Sequence, residues 1–107
     1  MIGDSISKMR LSTEQAQTIR QLAQEVAGGD TRVRLFGSRL DDNARGGDVD
    51  LMLEVDNPVP NPALMAARFA ARVSRLFQGR RVDVLIAAPN LGRFAIHDIA
   101  HDEGHLL

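Results

Sequence analysis

Two aspartates near the middle of the chain have the spacing of a metal-binding pair. Asp48 and Asp50 open an apolar segment that continues to Val55. In an extended strand, side chains at i and i+2 leave the same face, with their Cα atoms about 6.6 Å apart. Two negative charges at that separation repel each other by about 2.5 kcal/mol at an effective dielectric constant of about 20, a cost that a divalent cation removes. The pair therefore indicates a cation site under phosphate groups.

A third acid lies in a later apolar segment. Asp83 interrupts the predicted strand 80–87, whose central residues are otherwise apolar. A carboxylate in the middle of a buried strand is costly unless it is paired or bound to a metal. If this strand lies beside that of Asp50, the acids Asp48, Asp50 and Asp83 form an all-oxygen site suited to two Mg²⁺ ions about 3.5 to 4 Å apart.

A Gly-Ser pair ends the apolar segment that precedes the first two acids. Gly37 lets the backbone approach a phosphate closely, and Ser38 offers a hydroxyl and an amide at the same point. Arg39 follows and can neutralise phosphate charge. Together with the three acids, these residues outline a site for phosphoryl or nucleotidyl transfer.

Hydrophobic periodicity, together with the residues that begin and end helices and strands, predicts the elements that position these residues. In chain order they are a helix at 11–28, strands at 31–36 and 48–55, a helix that starts at Pro62 and ends at Gly79, a strand at 80–87 and a mostly helical segment at 90–107. Ser12 with Gln15 is a capping-box pattern, and Asn61 is the N-cap of the second helix. The short connection predicts that the first two strands pair antiparallel or lie side by side. In the last segment, the possible inward positions are Leu91, Phe94, Ala95 and Ile99.

Length and composition predict a single domain over residues 1–107, with residues 1–10 as a loose lead-in. A net charge of −1 does not indicate direct binding to nucleic acid or to an acidic membrane. The absence of cysteine excludes disulfides and thiolate metal sites. Because the N-terminus has neither a basic start nor an apolar run, we expect a cytoplasmic protein without a membrane span.

The motif residues resemble the signature of the DNA polymerase beta type nucleotidyltransferase superfamily. The resemblance rests on Gly37-Ser38, a gap of nine residues, Asp48-Val49-Asp50 and the later strand acid Asp83, and it covers about residues 12–100. The size of the chain is similar to that of the minimal nucleotidyltransferase branch, whose members are often antitoxins of HEPN-domain toxins. The resemblance implies an α+β fold, in which a small mixed β-sheet has helices packed on one face, as in the polymerase beta palm.

The resemblance also implies a role for each residue of the motif. Asp48 and Asp50 would hold both metals, and Asp83 would join the metal that activates the attacking hydroxyl. The triphosphate would lie against Gly37, Ser38 and Arg39. The implied activity is Mg²⁺-dependent transfer of AMP from ATP to a hydroxyl, expected to be a tyrosine of a partner HEPN toxin. The protein would then be the AMPylating antitoxin of a type VII toxin–antitoxin pair, an arrangement compatible with a hetero-oligomer.

Two other functions stay open at the level of sequence. Arg68, Arg72 and Arg75 recur at i, i+4 and i+7, so they form a basic ridge on the second helix. With the C-terminal segment, this ridge could neutralise a partner by contact alone, without catalysis, although a solvated helix face is the simpler interpretation. A nucleotidyltransferase acting on a small molecule is the other alternative.

A histidine cluster near the C-terminus offers a different metal site. His97, His101 and His105 fall at i, i+4 and i+8, and on one helix the first two could share a zinc or nickel ion. Gly104 interrupts the pattern before the third histidine. We interpret the cluster as a solvated helix end.

Overall fold

The computed structural model of the protein describes residues 11–36 and 49–107. Over these ranges the elements are α1 (Thr13–Ala27), β1 (Arg32–Phe36), β2 (Val49–Glu54), α2 (Pro62–Leu76), β3 (Val82–Ala87), α3 (Ala95–Glu103) and β4 (His105–Leu106). The predicted α+β class is confirmed. The predicted lead-in 1–10 and the motif's gap of nine residues, 39–47, lie outside the described residues. None of the described helices is long and apolar enough to cross a membrane.

Both long helices begin at the caps that the sequence predicts. The Ser12 hydroxyl accepts a hydrogen bond from the Gln15 amide at 3.0 Å, and the Ser12 amide donates to Gln15 Oε1 at 2.9 Å, which completes the capping box of α1. At the start of α2, Asn61 Oδ1 accepts from the Leu64 amide at 3.1 Å, and proline occupies the first turn. Such caps satisfy amide groups that have no partner inside the helix, and each contributes about 1 kcal/mol to stability.

The four strands form one mixed sheet in the order β3-β2-β1-β4. β1 pairs antiparallel with β2, as the short connection predicts, and it pairs antiparallel with β4 on its other side. β2 and β3 are parallel, and α2 connects them. Because β2 and β3 are parallel, their amino-terminal ends lie at the same end of the sheet. This arrangement matters for function.

One face of the sheet packs against α1 and α2 to form the hydrophobic core. Ile19 and Ala23 of α1 and Phe69 and Val73 of α2 are fully buried. The strand residues that face them are Val33, Leu35, Val49, Leu51, Leu53, Val55 and Ile86. The alternation predicted for the second strand, with Val49, Leu51, Leu53 and Val55 toward the core, is therefore confirmed. As predicted, the sheet is small and mixed, with helices packed on one face.

The C-terminal helix α3 contacts the opposite face. Its His101 Nε2 approaches Glu54 Oε2 at 4.0 Å, and the Glu54 side chain leaves the sheet on the side of the buried Met52. His97 and Ala100 are the residues of α3 that are buried. The small Ala100 side chain allows close packing, and the ring nitrogens of His97 are satisfied by backbone groups.

The inward positions predicted for the last segment are mostly wrong. Phe94 is 68% exposed and Ile99 is 46% exposed, while Ala95 also faces solvent. Only Leu91 packs against the core as predicted. Beyond the helix, β4 adds a strand that the sequence analysis does not anticipate, because its two residues are too few to show a period.

Candidate active site

Asp50 and Asp83 lie side by side on neighbouring strands. The parallel register of β2 and β3 makes them direct Cα partners. Adjacent strands are about 4.8 Å apart, and residues in register project from the same face of the sheet. Both carboxylates leave the face opposite the core, because their neighbours Val49 and Leu51 are buried against the helices. The condition on which the sequence analysis relied, that the third strand lies beside the second, is met.

The environment of Asp83 differs from the one predicted. β3 is an edge strand of the described sheet, and the Asp83 side chain is 46% exposed, so this carboxylate is not in the middle of a buried strand. Asp83 Oδ1 also accepts a hydrogen bond from Arg81 Nε at 3.2 Å. The burial argument for a metal at Asp83 is therefore wrong, and the case for the site rests on the register with Asp50 instead.

Arg81 contacts the candidate site and was not identified from the sequence. It precedes β3, and its carbonyl oxygen accepts a hydrogen bond from the Val49 amide at 3.0 Å, so it continues the ladder between β2 and β3. Strand alternation then places Arg81 on the same face as Asp83. The i, i+2 spacing of an arginine and an aspartate in a predicted strand was the signal that could have identified it.

Four of the predicted site residues lie outside the described residues. They are Gly37, Ser38, Arg39 and Asp48. Their assignment to phosphate and metal binding stays a prediction from the motif. Of the predicted site residues, the structure brings together Asp50 and Asp83.

The ligand atoms in the described part of the site are of a kind that binds divalent cations. Carboxylate oxygens on two adjacent strands are the donors that Mg²⁺ prefers. Within residues 11–36 and 49–107, no group of three or more histidine, cysteine, aspartate or glutamate side chains forms a metal cluster. By the sequence motif, the third acid is Asp48, which directly precedes β2. Asp50 and Asp83 are thus suitable ligands for the predicted two-metal site, which by the motif also requires Asp48.

A second group of charged residues lies at the other end of β2 and has a structural role. Glu54 is 8% exposed and accepts a hydrogen bond from Arg34 Nε at 2.9 Å. Arg32 lies 3.5 Å from the same Glu54 oxygen and donates to both carboxylate oxygens of Asp56. The hydrogen bonds from Arg32, and then its charge, hold the pKa of Asp56 below its ordinary value of 3.8. This ion-pair network joins β1 to β2.

A groove of about 300 Å³ lies beside this network and apart from the paired aspartates. Its lining includes Arg32, Glu54, Asp56 and Arg93. Glu54 is four residues along β2 from Asp50, a separation of about 13 Å in a strand. The groove is polar, and its arginines already have carboxylate partners, Arg32 with Asp56 and Arg93 with Asp98 at 2.7 Å. The register of the two aspartates, and not this groove, identifies the candidate active site.

The histidine cluster does not form a metal site in the described structure. His97 is buried, so the prediction of a solvated helix end is wrong for this residue. Its Nδ1 accepts a hydrogen bond from the Phe94 amide at 2.9 Å, which leaves Nε2 as the donor to the Ile86 carbonyl at 3.1 Å. Both ring nitrogens are therefore engaged, and neither is available to a metal shared with His101. His101 and His105 are exposed, as predicted.

The basic ridge of α2 is exposed along its length. Arg68, Arg72 and Arg75 all face solvent. Arg72 forms an ion pair with Glu25 of α1 at 3.2 Å, so it contributes to the contact between the two helices. Arg68 and Arg75 form no ion pair with any other described residue and leave positive charge on this surface.

Comparison with known proteins identifies the family of the domain. The model of the nucleotidyltransferase domain family matches residues 16–103. This range holds the described parts of the sheet except β4, and it includes all three acids and the Gly-Ser pair. A search of curated proteins finds no significant match.

Proposed function

This chain belongs to the nucleotidyltransferase domain family, in the DNA polymerase beta type superfamily, and from that premise we propose that it transfers AMP from ATP to a hydroxyl of a partner protein. The observation that carries the proposal is the register of Asp50 with Asp83 on adjacent parallel strands. In the reaction, the acceptor oxygen bonds to the α-phosphorus of ATP, and the bond from that phosphorus to the α,β-bridging oxygen breaks. The products are an AMP ester, pyrophosphate and the proton of the hydroxyl.

The two described aspartates lie on different strands of the site. Asp50 is on β2 inside the sheet and Asp83 is on the edge strand β3, and both are partly exposed. We assign Asp50, with Asp48, to the nucleotide and Asp83 to the acceptor hydroxyl, as the family resemblance implies. Mg²⁺ held by these acids would neutralise the triphosphate and lower the pKa of the acceptor hydroxyl.

We propose a tyrosine of a HEPN toxin as the acceptor. The support is the resemblance to minimal nucleotidyltransferases, together with the position of Asp83 on an exposed sheet edge, where the side chain of a macromolecule can reach it. The protein would act as the antitoxin of a type VII pair, in a hetero-oligomer with its toxin during transfer. We place this reaction in the cytoplasm, where ATP and Mg²⁺ are abundant.

Mass spectrometry tests the proposal directly. The purified protein is mixed with the product of the neighbouring gene, the expected HEPN toxin, together with ATP and Mg²⁺, and the intact partner is weighed. We expect AMP-sized additions that map to tyrosine by fragmentation and that disappear when EDTA replaces Mg²⁺. An unmodified toxin under these conditions would contradict the proposed acceptor, and a parallel reaction with small-molecule alcohols such as aminoglycosides tests the alternative substrate class.

A contact-only antitoxin is the second candidate, because the surface has features that suit a partner. Arg68 and Arg75 of α2 are exposed and have no ion-pair partner among residues 11–36 and 49–107, and Phe94, Ile96 and Ile99 are exposed apolar residues around α3. If contact alone is sufficient, Asp83→Asn should neutralise the toxin as well as the unaltered protein does. If AMP transfer is required, that variant should lose neutralisation while it still binds the toxin.

A further inference from the structure

The ion pair of Arg81 with Asp83 contributes too little to stability to explain the position of Arg81. The Arg81 side chain is 72% exposed and that of Asp83 is 46% exposed. Ion pairs between such exposed side chains contribute less than about 1 kcal/mol, because solvent screens the attraction and two side chains lose freedom. The pair therefore contributes little to the stability of the fold. The location of Arg81 at the paired aspartates suits a role in ligand binding.

The guanidinium group is only partly engaged. Arg81 donates to Asp83 Oδ1 through Nε. Neither of its Nη nitrogens has a hydrogen-bond acceptor within the described ranges, and both are on a largely exposed side chain. A guanidinium carries five N–H donors in a planar fork that matches phosphate oxygens. One edge of this fork can hold Asp83 while the Nη nitrogens contact an anion.

The charges of the site identify that anion. Asp83 carries a negative charge, and Arg81 supplies a compensating positive charge on the same face. When a cation occupies the carboxylates, the attraction between Arg81 and Asp83 weakens. The phosphates of a bound nucleoside triphosphate then supply a negatively charged partner for the guanidinium. Binding of the nucleotide and orientation of Asp83 are thereby coupled through one residue.

We propose that Arg81 binds a phosphate group of the nucleoside triphosphate through its Nη nitrogens and orients the Asp83 carboxylate through Nε. This inference rests on the proposed function, since it places the triphosphate at the paired aspartates. It adds a residue that lies outside the Gly-Ser and Asp-x-Asp motifs. Arg32 and Arg93 do not suit this role, because they line the groove near Glu54, at the other end of β2 from Asp50.

The neighbouring Arg80 provides a matched control. It is exposed, has the same charge and precedes Arg81 directly, but no carboxylate pairs with its side chain among the described residues. Its backbone groups form hydrogen bonds: the Arg80 carbonyl accepts from the Ser74 hydroxyl at 2.7 Å, and the Arg80 amide donates to the Phe77 carbonyl at 3.3 Å. Arg80→Gln therefore removes the same charge from nearly the same place without touching Asp83.

Binding measurements on the full chain distinguish the two arginines without requiring turnover. Affinities for α,β-methylene-ATP with Mg²⁺, and for inorganic tripolyphosphate with Mg²⁺, are measured by calorimetry. We expect Arg81→Gln to weaken both about ten- to hundredfold, as for a lost hydrogen bond to a charged group, and Arg80→Gln to weaken them less than about threefold. Arg81→Lys should fall between them, because lysine keeps the charge and loses the fork. The urea midpoint should be the same in all three variants.

The steady-state kinetics of AMP transfer add a second readout. Arg81→Gln should raise the KM for ATP and also lower kcat, because Asp83 loses its orienting partner. Equal affinities in Arg81→Gln and Arg80→Gln, with the unaltered protein active, would overturn the role of Arg81 and leave the proposed function intact. If the unaltered protein binds neither ligand and transfers no AMP, the proposed function and this inference fail together.

Discussion

Asp50 of β2 is the direct partner of Asp83 of β3 in a parallel pair. A slip of one residue in this register would turn one of the carboxylates into the hydrophobic core, because side chains alternate between the two faces of a strand. The buried residues of the other face, Leu51 and Ile86 among them, therefore hold the register that brings the acids together. Packing on one side of the sheet determines the chemistry on the other.

Replacing either described aspartate by its amide should abolish AMP transfer. Asp50→Asn and Asp83→Asn keep the shape of the side chain and remove the negative charge that a divalent cation requires. We expect rates to fall by more than about a hundredfold, since even groups that only support metal ligands are worth about ten- to hundredfold. Asp98→Asn, on the exposed surface of α3, is the control. Transfer at the normal rate by Asp83→Asn, measured with α-labelled ATP, would contradict the assignment.

Glu54→Gln should destabilise the fold without acting on the site. Glu54 is almost buried, and its charge balances Arg34 and in part Arg32. Removing one partner leaves a poorly solvated guanidinium, so we expect a loss of about 3 kcal/mol in the free energy of unfolding. Asp98→Asn breaks an exposed pair with Arg93 and should cost less than about 1 kcal/mol. Urea titration at neutral pH measures both, and equal losses would show that burial of Glu54 is unimportant.

His97→Ala should have a large structural cost, in contrast to His101→Ala. The His97 ring fills a buried position and satisfies the Phe94 amide and the Ile86 carbonyl. Its removal creates a cavity and leaves backbone groups unpaired, and we expect a loss of about 3 kcal/mol. His101 is exposed, so its variant should stay within about 0.5 kcal/mol of the unaltered protein. Thermal unfolding followed by circular dichroism checks the difference.

Gly104→Ala should disrupt the junction between α3 and β4. A Cβ atom at this position would overlap the Ala100 carbonyl oxygen and lie 3.0 Å from the Leu35 carbonyl oxygen. Backbone atoms cannot move aside cheaply, so we expect a loss of about 1 to 3 kcal/mol. Gly29→Ala is the matched control, because nothing lies within 4 Å of a Cβ there. Similar unfolding midpoints for the two variants would contradict the close packing of Gly104.

The Arg32–Asp56 pair predicts a pH dependence of stability. Because Arg32 lowers the pKa of Asp56 below 3.8, the folded state favours the ionised carboxylate. The stabilisation is fully present above the ordinary pKa of 3.8 and is lost as the pH falls through the lower pKa of the folded state. The unaltered protein should therefore unfold at a slightly higher urea concentration than Asp56→Asn at pH 6, and the difference should shrink by pH 3. A constant difference across this range would exclude the pair as its cause.

Local interactions account for the parts of the fold that the sequence predicted well. Ser12, Gln15 and Asn61 act on amides within one turn, so their spacing alone identifies the helix starts. The prediction failed for α3, where Phe94 and Ile99 are exposed and His97 is buried. Phenylalanine and isoleucine are more hydrophobic than histidine, so hydrophobicity predicts the reverse of the observed burial. The hydrogen bonds of His97 to two backbone groups explain why it is buried.

The sequence by itself determined the residue types of the site and the positions of the strands that carry them. Strand periodicity placed Asp50 on the face away from the core, and the motif joined it to Asp83 across more than thirty residues of chain. Only the tertiary structure decided that the two are in register, that β3 is an edge strand and that Arg81 pairs with Asp83. Strand order and register depend on contacts between distant segments, and no local pattern in the chain specifies which strand ends at the edge.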